Sequence, residues 1–158
     1  MAFLDAPTLE LVAELSVTVA APIEAGDVIG VGSSGRRRII PITGGTVRGK
    51  LSGRVLPGGA DFQLIVSATT AVLDARYMLE LDNGAKVFVQ NHALRRGSAE
   101  AIAKLVKGEP VDPAEIYFRC VPTFEVSDPA LAWLTESVFI GTGARFPDRV
   151  ELAFYRVV

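Results

Sequence analysis

The sequence predicts an all-β fold, one antiparallel β-barrel of about eight to ten strands with a single short helix, spanning residues 1–158 as one domain. Three observations carry this. Residues 9–20 alternate Leu9, Leu11, Ala13, Leu15, Val17 and Val19 with Glu10, Glu14, Ser16 and Thr18, the period of two that a half-buried strand requires. Turn-forming residues recur along the chain at Pro22, Gly44-Gly45, Pro57-Gly58-Gly59, Asp82-Asn83-Gly84 and Pro147-Asp148. Convincing helical periodicity is confined to the stretch between Ser98 and Gly108.

Each element follows from local chemistry. After the first strand, Pro22 and Gly26 punctuate the chain, and Ser33-Ser34-Gly35 leads into an apolar strand over residues 37–42. Gly45, Gly49 and Gly53 recur every four residues between Val47, Leu51 and Val55. All six share one face of a single expected strand, where glycine marks a bulge, a bend or the close approach of another backbone. Pro57-Gly58-Gly59 turns the chain into a strand over 61–67. Asp82-Asn83-Gly84 joins strands 71–81 and 85–91 as a hairpin, because a type I′ turn needs positive φ at both central residues. Ser98 caps the helix, Ile102, Leu105 and Val106 form its apolar stripe, and Gly108 ends it. Asp112-Pro113 and Asp128-Pro129 each place a cap before a proline and start helices of one turn at most. Residues 138–146 and 149–157 form a closing hairpin.

The strand from Tyr117 to Glu125 sets Phe118, Cys120, Pro122 and Phe124 on one face and Tyr117, Arg119, Val121, Thr123 and Glu125 on the other. A cation and an anion among small and aromatic neighbours suit the inner wall of a barrel that holds a few polar groups. In the strand over 71–81 the same alternation opposes Asp74, Arg76, Met78 and Glu80 to Ala75, Tyr77, Leu79 and Leu81. Periodicity leaves open which face looks inward, since a ligand-holding barrel has a partly polar lumen. Arg38 shares a face with Ile40 and Ile42 and can reach into the barrel, whereas Arg36 and Arg37 read as solvated.

Charge and composition exclude several classes. The 18 acidic and 16 basic residues leave a net charge of −2, with no electrostatic footprint for nucleic acid. No apolar run approaches the roughly 20 residues of a membrane-spanning helix. Residues 1–20 contain Asp5, Glu10 and Glu14 without a basic n-region, so a mature, soluble chain is expected. Cys120 is the lone cysteine and His92 the lone histidine, so neither a disulfide nor a metal site is expected, no cofactor is called for, and a cytoplasmic setting fits. Gly44-x-x-x-x-Gly49-Lys50 imitates a phosphate-binding loop, but Leu51 stands where Ser or Thr must bind magnesium, and a strand pattern follows where a helix is needed.

Gly44-Gly45-Thr46, Gly58-Gly59-Ala60-Asp61, Asp74-Ala75-Arg76-Tyr77, Asp82-Asn83-Gly84-Ala85, Tyr117-Phe118-Arg119, Phe124-Glu125, Trp133-Leu134 and Gly141-x-Gly143-x-Arg145 occur in that order. Together they resemble the bacterial and fungal family catalogued as domain of unknown function 3237, over nearly the whole chain. The fold of that family is similar to the barrel of allene oxide cyclases and dirigent proteins, which hold apolar or phenolic small molecules and steer ring closure or coupling. Two departures stand out: Phe62 where a tryptophan is common, and Asn91-His92-Ala93 where Asn-x-Gly is usual.

Two readings stand side by side for Arg119 and Glu125. They form an ion pair within the wall, or Arg119 grips a carboxylate, enolate or phenolate oxygen while Glu125, its pKa raised by an apolar lumen, moves a proton. Asp61 follows a Gly-Gly turn and reads by itself as a turn carboxylate; the resemblance makes it a second acid–base candidate. The resemblance also singles out Arg76 as an oxyanion holder, and Tyr77 beside it is the candidate hydrogen-bond donor. Arg38 and Trp133 complete the ligand-binding candidates, with Trp133 read equally as a plug for one barrel end. His92 reads as a surface residue and Cys120 as buried and inert.

The leading expectation is a cofactor-independent isomerase, cyclase or lyase acting on a small apolar or aromatic metabolite. A non-catalytic carrier or sensor and a structural oligomer subunit are the alternatives. An enzyme should hold a lumen carboxylate of shifted pKa, a carrier a larger apolar cavity with every charge paired, and a structural subunit no cavity. A homo-oligomer is expected because Val17, Val19 and Val157 read as outward apolar positions that need cover.

Overall fold

The computed structural model describes residues 3–158. Its strands are β1 (Leu9–Val19), β2 (Ile23–Gly30), β3 (Ser33–Gly49), β4 (Gly53–Val55), β5 (Ala60–Ile65), β6 (Thr70–Leu81), β7 (Lys86–Gly97), β8 (Ile116–Val126), β9 (Phe139–Arg145) and β10 (Arg149–Val157). A helix, α1 (Ala99–Val106), follows β7, and 3₁₀ turns cover Pro113–Glu115 and Pro129–Thr135.

All pairings are antiparallel. They run β1-β10-β9-β8-β7-β6, then a place shared by β4 and β5, then β3, which pairs with β1 and closes the barrel at eight positions. The first part of β3 pairs with β2 from Ser33 to Ile39, and the second part pairs with β1 from Ile42 to Gly49. Pro41 stands at this change of partner, a position that tolerates a residue without an N–H. Gly45 marks the closest approach of the closing strands. Its φ is +143°, and a Cβ there would sit 2.1 Å from the Ser16 carbonyl oxygen.

Closure turns alternation into an inside and an outside. Leu15 and Val17 of β1, Tyr77 and Leu79 of β6, Val87 and Val89 of β7, Phe118 and Cys120 of β8, and Leu152 and Phe154 of β10 all point inward and are buried. One end is filled with apolar rings. Phe124 meets Phe139 edge-on at 5.2 Å and Phe154 at 6.0 Å, and the turn Pro129–Thr135 lays Trp133 against Phe139 at 6.2 Å. At the opposite end α1 packs Ala101, Ile102 and Leu105 down, and the Ser98 hydroxyl accepts a hydrogen bond from the Ala101 N–H at 3.1 Å.

The all-β barrel with one short helix is the predicted fold, with local differences. β2 was not foreseen, because Gly26 reads as an interruption; it is accommodated as a bulge with φ of +78°. The glycine-spaced segment is not one strand. The chain turns at residues 50–52, and β4 returns beside β3. β7 continues six residues past Asn91, to Gly97. Val17 points inward and is buried, and Val19 lines the lumen, so the outward apolar residues are others, among them Leu94, Val121 and Ile140. Among the described residues no helix is long and apolar enough to cross a membrane.

Gly45→Ala is expected to lower stability by about 3 kcal/mol or more in urea denaturation, combining a disfavoured φ with backbone overlap. Gly58→Ala, at φ of +106° with open space around it, should cost about 1 kcal/mol.

Candidate functional site

The inward alternation is apolar through most of the barrel and becomes polar near the α1 end. On β5 the inward residues are Asp61 and Gln63. Register places Gln63 beside Arg38 of β3, and Asp61 between Ile40 of β3 and Ala75 of β6. Ala75 in turn pairs with Asn91, and Ala71 with Arg95, on β7. Arg145 ends β9 on the same face, paired with Val150. Gly143, two residues earlier, has no side chain because the Phe118 ring occupies that space, with ring atoms within 2.8 Å of where a Cβ would be. Arg38, Arg95 and Arg145 therefore converge on one end of the lumen, with Asp61 among them.

The lumen has two adjoining parts. A deep chamber of about 40 Å³ lies among Val17, Leu73, Tyr77, Asn91, Phe118 and Leu152. A vestibule of about 370 Å³ lies above it, between Arg38, Arg95, Arg145 and the end of α1 at Leu105 to Gly108. Arg95 and Arg145 border both.

The charges are poorly matched. Arg38 is 4% exposed; its Nε lies 2.9 Å from Glu24 as an ion pair without hydrogen-bond alignment, and its Nη2 donates to the Val106 carbonyl at 3.3 Å. That carbonyl belongs to the negative end of the α1 dipole. Among the described residues Arg145 donates only to the Arg149 carbonyl, at 3.4 Å. Arg95 is 2% exposed, and among the described residues it makes no ion pair and its Nε has no hydrogen-bond partner. Burial, reinforced by Arg145 and Arg38 against the opposing pull of Asp61, pushes the Arg95 pKa down to about 10. Burial also lowers Arg38, against the pull of Glu24, and burial together with repulsion from Arg38 lowers Arg145.

Asp61 shows the reverse. Burial raises its pKa, although its carboxylate accepts from Gln63 Nε2 at 2.8 Å and from the Asp74 N–H at 3.2 Å, and feels the Arg95 charge. Burial also raises Tyr77, so its hydroxyl stays a donor; its Oη has no partner among the described residues. Asn91 hydrogen-bonds the Cys120 thiol, leaving its Oδ1 unpartnered in the same chamber. Burial pushes the Cys120 thiol up to about 11, so it remains protonated. The arrangement can hold an anion by guanidinium groups and exchange a proton through a carboxyl of elevated pKa. Among the described residues no group of three or more His, Cys, Asp or Glu side chains is placed to hold a metal ion.

Of the residues singled out from sequence, Asp61, Tyr77 and Arg38 come together here. Arg119 and Glu125 do not. Both are exposed on the outer face, because Phe118, Cys120 and Phe124 take the inside of β8, and they form no ion pair with each other. Arg119 instead donates to the Phe118 carbonyl and stacks over Tyr117 at 5.2 Å. Arg76 also faces outward, paired with Asp74 at 2.9 Å and lying over Phe62. Trp133 sits at the opposite end of the barrel, in the apolar plug. His92 is on the outer surface, 3.9 Å from Asp74. Arg95, Arg145, Asn91 and Gln63 were missed. Extending the period of two along β7 from Val87 through Asn91 reaches Arg95, and along β9 from Phe139 it reaches Arg145.

The profile of the family described as protein of unknown function (DUF3237) matches residues 7–157. A UPF0311 protein of Rhodopseudomonas palustris is 45% identical over 155 residues, covering 96% of this chain and 99% of its own. A UPF0311 protein of Clostridium acetobutylicum is 38% identical, covering 94% and 92%. The crystal structure of a β-barrel-like protein from Acinetobacter baumannii superposes with a TM-score of 0.83 at 40% identity, covering 98% of each chain. An enzyme from Penicillium herquei shares the fold, with a TM-score of 0.67 at 18% identity, over 100% of this chain and 99% of its own.

The Arg95 charge costs folding stability at every pH below about 10, and the cost fades as pH rises from there toward the ordinary arginine range, where the unfolded chain also loses its proton. Arg95→Met should therefore stabilise the protein at pH 7 by about 1–3 kcal/mol in urea denaturation. Arg119→Ala, on the outer face, should stay within about 0.5 kcal/mol of the parent.

Proposed function

The chain belongs to the DUF3237 family, and we propose that its lumen binds a small organic anion and acts on it as a cofactor-independent isomerase or cyclase. The observation that carries this is Arg95, a guanidinium buried to 2% exposure without a counter-ion, beside a carboxyl whose pKa burial has raised. A buried, unpaired cation is among the costliest groups a fold can retain. A carboxylate, enolate or phenolate arriving through the vestibule neutralises it.

Arg95 and Arg145 border the chamber and hold the anion, with Arg38 at the vestibule wall. Developing oxyanion charge is stabilised by groups already in place and already stripped of water, which is where such interactions are strongest. Asp61, neutral over a wider pH range than an ordinary carboxyl, gives or takes the proton. Tyr77 keeps its proton and orients oxygen atoms of the substrate. Unpaired lumen charges and a lumen carboxyl of shifted pKa favour catalysis over a carrier. A single buried, protonated thiol suits a cytoplasmic protein.

Isothermal titration with butyrate and benzoate tests the binding half. The native protein and Arg119→Ala should bind at least one, and Arg95→Met should bind it about tenfold or more weakly. Deuterium incorporation at the carbon beside the carbonyl of 2-oxo and 3-oxo acids, followed by NMR in D₂O, tests proton transfer. Exchange should be catalysed by the native protein and lost in Asp61→Asn. Equal anion binding by native and Arg95→Met proteins would reject the reading.

A further inference from the structure

We infer that the deep chamber is a second polar subsite, and that the ligand is a carboxylic acid carrying a hydroxyl or enol oxygen at its far end. The inference rests on the anion-binding reading above and adds the identity of the group that goes deepest.

Two atoms point to it. Tyr77 Oη and Asn91 Oδ1 both face the chamber, both are buried, and neither has a hydrogen-bond partner among the described residues. They are chemically complementary to one kind of group. Burial holds the tyrosine hydroxyl in its protonated form, so it is a donor. Asn91 engages the Cys120 thiol, which leaves Oδ1 as an acceptor. A hydroxyl satisfies both at once, accepting from Tyr77 and donating to Asn91. A bare methyl satisfies neither and leaves two buried polar atoms without partners. A second carboxylate would meet the Asn91 acceptor and gain one partner at most.

The remaining walls fix the rest of the ligand. Leu73, Phe118 and Leu152 line the chamber between the polar atoms, so the connecting part is apolar. About 40 Å³ is room for only about three water-sized groups, so the deep end is a short chain tip, not a ring. The two guanidinium groups that border both chamber and vestibule hold the carboxylate. The ligand class is thus a short aliphatic hydroxy acid or the enol of an oxo acid, entered tip first. Discrimination follows from the protein side: a site whose buried polar atoms await a hydroxyl rejects the analogue that lacks it.

The test compares straight-chain carboxylates of four to six carbons with their terminally hydroxylated counterparts, by isothermal titration. For at least one chain length the hydroxy acid should bind about tenfold more tightly than the plain acid. Tyr77→Phe should abolish that advantage, and an unchanged circular-dichroism spectrum reports that the variant is folded. Asn91→Leu, as an independent variant, should likewise reduce the advantage. Binding of plain and hydroxylated acids with equal affinity at every length overturns the second subsite and leaves the anion-binding reading standing. An advantage that survives in Tyr77→Phe overturns the subsite too. If no acid of either kind binds, the anion-binding reading fails and takes the subsite with it.

Discussion

The pairing of β1 with β3 is the constraint on which everything else depends. Until those strands meet, alternation along each strand distinguishes two faces but not an inside from an outside. Once they meet, every second side chain on eight strand positions is committed to one enclosed space. The meeting is possible because β3 approaches β1 through Gly45, where any side chain would overlap the Ser16 carbonyl. Closure leaves β2 to pair only with the part of β3 that extends past β1, so it flanks the barrel instead of lining it.

The two ends of that enclosed space follow different physics. At one end the phenylalanine rings and the Trp133 plug are packed as an ordinary core, and the gain is hydrophobic. At the other, three arginines, one carboxyl, two amides and a phenol are turned inward under a helix. Burying such groups without mutual pairing opposes folding, and the apolar half of the barrel supplies the stability that offsets it. A stable half thus carries a strained polar half, the division expected where function competes with stability. The lid helix takes part in this balance. Its C-terminal carbonyl receives Arg38, so the segment closing the vestibule is tied to one of the cations within it.

How far the sequence revealed this depends on the residue. The strand alternation, the hairpin at Asp82-Asn83-Gly84 and the Ser98 cap are local signals, and local physics decides them, although Gly84 takes positive φ and Asn83 does not, so the turn is not the expected type I′. The direction of each face is not local. On β8 the charged face of Arg119 and Glu125 has the composition of a sparsely polar lumen, yet Phe118, Cys120 and Phe124 bury far more apolar area and take the inside. Arg38 was legible because it shares a face with Ile40 and Ile42, which must be buried, and Asp61 only through the family resemblance, since by itself it reads as a turn carboxylate. Arg95 and Arg145 were not, since each lies at the far end of its strand, where chain breaks are hardest to place. The Asn91–Arg95 run is a continuation of Val87 and Val89, visible only once the strand is known to continue.

The most direct measurement is anomalous diffraction from crystals soaked in a short bromine-labelled carboxylate such as 4-bromobutyrate. A bromine peak is expected inside the barrel, in the chamber beside Tyr77 and Asn91, with the carboxylate against Arg95 and Arg145. A peak confined to the outer face near Arg76 or Arg119, or an empty lumen in crystals whose solvent channels reach the vestibule, would contradict it.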